Sequence, residues 1–173
     1  MSITSTVFRR RNSASVGDIE ILGDREFCAR TLEALRLLSS LSCFEIVREH
    51  IALIKQGARS GMRAWAKRPT FAVGRPTWKH SILWYAGAIA HDAYHSKLYH
   101  EATSANGGRQ PDADTWTGTD AEKKCLIFQR QVLIDLNADR KTIAYLEEQL
   151  ENPTYGGRNK GFGAWLDYLK RWW

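Results

Sequence analysis

Phe27, Thr31, Leu35 and Leu38 fall on one stripe at helical spacing, and Asp24 stands just before them where an N-cap belongs. That pattern predicts a helix from Asp24 to about Ser39. The next segment, "CFEIVREHIALIKQG", is rich in Ile, Val and Phe and predicts one or two strands with a break near Glu49-His50. "RSGMRAWAKRP" reads as a loop. "TFAVGRP" reads as a short strand closed by Gly74 and Pro76, and a strand ending in Pro suits a sheet edge.

Thr77 can cap a long helix from Trp78 to about Tyr99, whose small residues Ala86, Gly87, Ala88 and Ala90 allow close packing, with the sheet as the expected partner. "TSANGGRQPDADTWTG" is a polar loop. A helix from Thr119 to about Asn137 follows, with the stripe Ala121, Cys125, Phe128, Val132 and Leu136. Another covers Asp139 to Leu150. "NPTYGGRNKGFG" reads as a glycine-rich loop and "AWLDYLKRWW" as a short amphipathic helix. Residues 1–17, polar and basic around Arg9-Arg10-Arg11, read as a flexible arm ahead of a single domain over 18–173. Helix, strands, edge strand, then helices is the order of an α+β fold.

Composition changes this picture little. The 173 residues suffice for one core, and 43% hydrophobic with 25% charged is ordinary for a globular chain. The formal charge of +6 admits an acidic partner such as nucleic acid, with the "KRWW" end available for stacking. Lys and Arg are dispersed along the chain, which favours a solvated basic surface. Three cysteines, Cys28, Cys43 and Cys125, without a CxxC pair argue against a disulfide framework and a cysteine zinc knuckle. No secretory signal and no membrane-spanning stretch stand out, so a cytoplasmic setting is the expectation.

The chemistry concentrates in "HDAYH". His91 and His95 lie four apart, hence on one helical face, where two imidazoles can grip one metal ion. Asp92 follows the first histidine, placed to act as general base on a water whose pKa zinc lowers from 15.7 to about 7. A third ligand must come from later in the chain.

"HDAYH" resembles the HExxH signature of zincin metallopeptidases, with Asp in the Glu position, one methylene shorter. The order of "TFAVGRP", the "ILWYAGAIAHDAYH" helix, a loop and "TDAEKKCLIFQRQVL" is also similar to a minimal zincin, over roughly residues 42–137. The resemblance implies a zinc-dependent hydrolase of peptide or protein substrates. In its gluzincin branch the third ligand is a Glu on a later helix, often followed three residues on by a small residue; Glu122 with Cys125 matches. Asp120, after Gly118-Thr119, loosely resembles the aspzincin ligand, and His100 is a further candidate.

Each candidate has a structural alternative. Thr119-x-x-Glu122 is also a capping box. His100 and Glu101 suit a solvated helix end, His50 and His80 a strand and a helix start, and Tyr94 the core. Tyr155 could donate to an oxyanion or serve only as a turn tyrosine. Two other functions compete. "AIAHDAYH" also resembles the His-Asp doublet of HD-type phosphohydrolases, which would enlist His50 and Asp135 in an almost wholly helical fold. A catalytically quiet metal-binding interaction module is the third.

Overall fold

The computed structural model describes residues 12–151. Five strands, β1 (Asn12–Val16), β2 (Ile19–Gly23), β3 (Leu53–Gln56), β4 (Gly61–Arg63) and β5 (Thr70–Val73), form one mixed sheet in the order β1-β2-β3-β5-β4. β2, β3 and β5 run parallel, while β1 and β4 pair antiparallel at the two edges. Register aligns Ile21, Ile54, Phe71 and Met62 in one cross-strand row, all buried. The opposite row carries Leu22, Lys55 and Ala72, each only half-buried. One face of the sheet therefore meets the core, and helices cover it.

The helices are α1 (Arg25–Ser39), α2 (Phe44–His50), α3 (Arg75–Lys79), α4 (Ile82–Ala105), α5 (Ala113–Thr117), α6 (Thr119–Asp135) and α7 (Arg140–Glu151). The chain is an α+β protein, as expected. In α1 the four stripe residues are buried, and the Asp24 carboxylate accepts from the Phe27 backbone N–H at 2.8 Å. α4 is central. It buries Tyr85, Ala86, Ile89, Ala90 and Ala93 in the same core as Phe71 and Val73. On its far side Gly87 faces α6: a Cβ there would stand 3.1 Å from Leu133 Cδ2. A helix covered all round needs no polar face, so the small-residue run sits between sheet and α6 rather than on the sheet alone. Thr31 Oγ1 and Tyr85 OH, buried and 2.8 Å apart, tie α1 to α4.

Several expectations fail for identifiable reasons. "FEIVREH" is the helix α2, not a strand. Its β-branched residues favour strands weakly, but packing against α4 buries Val47 completely and outweighs propensity. "TFAVGRP" does contain β5, but β5 is an inner strand between β3 and β4. Pro76 falls beyond it, in the first turn of α3, where a missing N–H goes unneeded. The edge strand on this side of the sheet is β4, inside the expected loop "RSGMRAWAKRP". Thr77 caps nothing; its hydroxyl bonds Ser60 Oγ at 2.6 Å. Ser81 caps α4 instead, accepting from the Trp84 N–H at 3.2 Å. Arg30 donates to the Trp78 and His80 carbonyls at the α3–α4 junction, at 2.8 and 2.6 Å.

Asn12–Val16, expected to belong to the arm, forms β1, and residues 1–11 lie outside the described residues. Val16-Gly17-Asp18-Ile19 is a two-residue hairpin, with Gly17 at φ 56°. α5 interrupts the polar loop before α6. The glycine-rich loop, the final amphipathic helix and Tyr155 lie outside the described residues.

Candidate metal centre

α4 presents His91 and His95 one turn apart, with ring centroids 4.8 Å from each other. α6 packs alongside and aims Glu122 at both. The three side chains meet at their tips: His95 Nε2 lies 3.1 Å from His91 Nε2 and 3.0 Å from Glu122 Oε2, and His91 Nε2 lies 3.4 Å from Glu122 Oε1. Ligand bonds of about 2.0–2.2 Å to zinc put tetrahedral donors about 3.3–3.6 Å apart. The three separations fall at or just below that range, so a small expansion would admit an ion.

The surroundings orient the ligands. His95 Nδ1 is 2.7 Å from the Trp116 carbonyl, which can only accept, so Nδ1 carries a proton and Nε2 is turned toward the cluster. Trp116 is held in turn by edge-on contacts with Trp65 and Tyr99, centroids 5.5 and 5.3 Å away. Its carbonyl is placed by the tight α5–α6 junction. Gly118 caps α6 there, and a Cβ at that position would lie 2.4 Å from the Asp114 carbonyl oxygen. His91 Nδ1, by contrast, is buried without a hydrogen-bond partner.

Electrostatics bind the cluster together. Burial alone would lower the His95 pKa, but hydrogen bonds with Cys125 and Glu122 raise it to about 11. Burial would raise Glu122, yet hydrogen bonds from His91 and His95 hold it well below the carboxylate range. The metal-free cluster is thus a protonated His95 against an ionised Glu122. Asp92 moves the other way: burial pushes it up to about 6, against the lowering pull of His91 and His95. A carboxylate that titrates near neutrality suits proton transfer.

Cys125 completes the neighbourhood. One donor atom from each of His91, His95 and Cys125 lies within 4.8 Å of the others, and among the described residues these three form a group able to hold a metal. Burial pushes the thiol up, which keeps it protonated here.

A cleft of about 250 Å³ opens onto the cluster. Its lining includes His91, Asp92, Glu122, Gly61 at the start of β4, and the apolar Trp84 and Leu126.

The sequence pairs His91 with His95 and offers Asp92 and Glu122 beside them; His91, His95 and Glu122 meet here, and Asp92 lines the same cleft. The capping box does not form, since Gly118 is the N-cap and no side chain caps α6. Asp120 is exposed. His100 stacks on His50, centroids 5.7 Å apart, and His50 ends α2 rather than lying in a strand. Asp135 accepts from Gln131 at 2.8 Å. Tyr94 is half-buried against Phe128. Trp116 was hidden in an apparent loop, and no sequence signal marks a backbone carbonyl as a histidine's partner. Cys125 was expected only as a stripe residue and the small position after Glu122; its spacing of three from Glu122, on the same helical face, is the signal that could have placed it at the cluster.

Comparison with protein-family models, curated proteins and solved structures found no match to this chain.

Proposed function

We propose that the protein is a zinc-dependent hydrolase of the metallopeptidase kind, with His91, His95 and Glu122 as metal ligands and Asp92 as general base. The observation that carries this reading is the meeting of two imidazoles and a carboxylate from two helices at 3.0–3.4 Å. Zinc would supply polarisation of a substrate carbonyl and acidification of a water. The chain supplies the rest. Trp116 fixes the His95 ring, Glu122 brings negative charge from α6, and Asp92 borders the cleft with a carboxyl poised to take and return a proton.

The architecture supports the likeness to zincins. A helix carrying the histidine pair packs beneath a sheet in which the edge strand β4 runs antiparallel to β5, its one partner among the described residues. Among the described residues the outer edge of β4 pairs with no strand, and Gly61 at its start lines the cleft, so an extended peptide could add there as a further strand. That placement favours a peptide or protein substrate. The HD-type reading has less support, since those domains are almost wholly helical and this one carries a five-stranded sheet, with His50 paired to His100. The "KRWW" end, on which a nucleic-acid partner was expected to stack, lies outside the described residues. Among the described residues no helix is long and apolar enough to cross a membrane.

The test is metal analysis of the purified full chain beside the His91→Ala/His95→Ala double variant, with hydrolysis of an unfolded protein followed in both. One zinc per chain and zinc-dependent cleavage in the parent, both lost in the variant, are expected. A parent without stoichiometric zinc, or a variant that keeps it, overturns the reading.

A further inference from the structure

We propose that Cys125 is a fourth protein donor to the same ion, approaching it from the side away from the cleft. This rests on the metal reading above and goes beyond it, because the resemblance to zincins treats this position only as a small residue.

Three observations converge. Cys125 follows Glu122 by three residues on α6, so both project from one face of that helix toward α4. Its donor atom and those of His91 and His95 are mutually within 4.8 Å. A zinc–sulfur bond of about 2.3 Å beside zinc–nitrogen bonds of about 2.0–2.1 Å needs a separation of about 3.6 Å, within reach of a contraction of about an ångström. Finally, access divides the donors. His91 and Glu122 line the cleft, whereas Cys125 is fully buried and is not among the cleft residues. The sulfur therefore stands behind the ion, and a water or substrate carbonyl entering from the cleft would be taken as a fifth ligand rather than a fourth.

Coordination replaces the S–H bond by a metal–sulfur bond, and the proton leaves to solvent. Burial discourages a free thiolate at this position, but a bound dication deprotonates a coordinating thiol outright. The donor set becomes two imidazoles, one carboxylate and one thiolate. Two anionic donors neutralise a dication in a largely buried site, and the soft sulfur turns selection toward zinc and away from magnesium, calcium and manganese. A buried cysteine without such a role would behave as a small inert hydrophobe.

Cobalt(II) titrated into the metal-free full chain tests this. The expected result is one equivalent bound, with an intense near-ultraviolet thiolate-to-cobalt charge-transfer band. Cys125→Ser should still bind one equivalent, at affinity lower by roughly tenfold or more, without that band. On the zinc-loaded parent, X-ray absorption should find one sulfur neighbour at about 2.3 Å, a measurement that needs no variant. Cobalt bound at His91 and His95 without the band, or a band that survives in Cys125→Ser, overturns the assignment while leaving the two-histidine site standing. Failure of the parent to bind any cobalt or zinc removes both proposals together.

Discussion

Asp92 and Glu122 are both carboxylates at one cluster, yet their environments push them apart. Glu122 is bonded to two imidazoles and stays ionised; Asp92 meets burial first and rises to about 6. On the proposed reading, that division would leave Glu122 to hold charge and Asp92 to move protons. Asp92→Asn should keep zinc content unchanged and lower zinc-dependent hydrolysis by about a hundredfold or more, as measured by initial rates against metal stoichiometry. The metal-free chain should also show a pH signature. His95 is raised above its ordinary 6.5 to about 11, so its contribution to stability is complete below about pH 6.5 and is lost as pH rises toward 11. Glu122 is lowered from 4.5, so its contribution is present above that value and is lost as pH falls below it. Asp92, raised from 3.8 to about 6, acts in the opposite sense and loses stability as pH rises through that window, so urea unfolding with chelator present should give a maximum near about pH 4 and a fall on either side. Glu122→Gln should remove the acid limb and weaken the alkaline one.

At the level of elements, the cluster depends on two close approaches made possible by glycine. Gly87 lets α6 lie near enough to α4 for Glu122 to reach both histidines. Gly118 lets α5 turn into α6 so that the Trp116 carbonyl meets His95. Gly118 has an ordinary φ of −74°, so the requirement there is space, not backbone conformation. Gly118→Ala should force the junction open. The expected outcome is a loss of about 1–3 kcal/mol by denaturant titration, with zinc affinity reduced by about 10–100-fold in competition with a chelating dye. Intact affinity in a destabilised variant would show that the Trp116 carbonyl does not orient the ligand.

For the whole molecule, an ion that binds only the folded chain links metal affinity to global stability. Zinc at a hundred times its Kd should add about 2.7 kcal/mol. For a domain of this size that is a rise in Tm of roughly 5–10 °C, read by calorimetry and reversed by chelator. The His91→Ala/His95→Ala variant should show no such rise.

Local signals carried much of this. The α1 stripe, its Asp24 cap, the two C-terminal helices among the described residues and the i, i+4 histidine pair are set by near neighbours in the chain. Helical periodicity and capping act over a few residues and need no tertiary context. What required the tertiary structure is whatever depends on residues far apart. Packing on α4 made "FEIVREH" helical against its propensity. Strand pairing made β4 the edge and put β5 inside. Whether Glu122 would cap its own helix or meet the histidines was open locally, because both uses need the same carboxylate near the start of α6. The close fit of α6 against Gly87, and of α5 against Gly118, decided it by bringing two imidazoles within hydrogen-bond reach of that carboxylate.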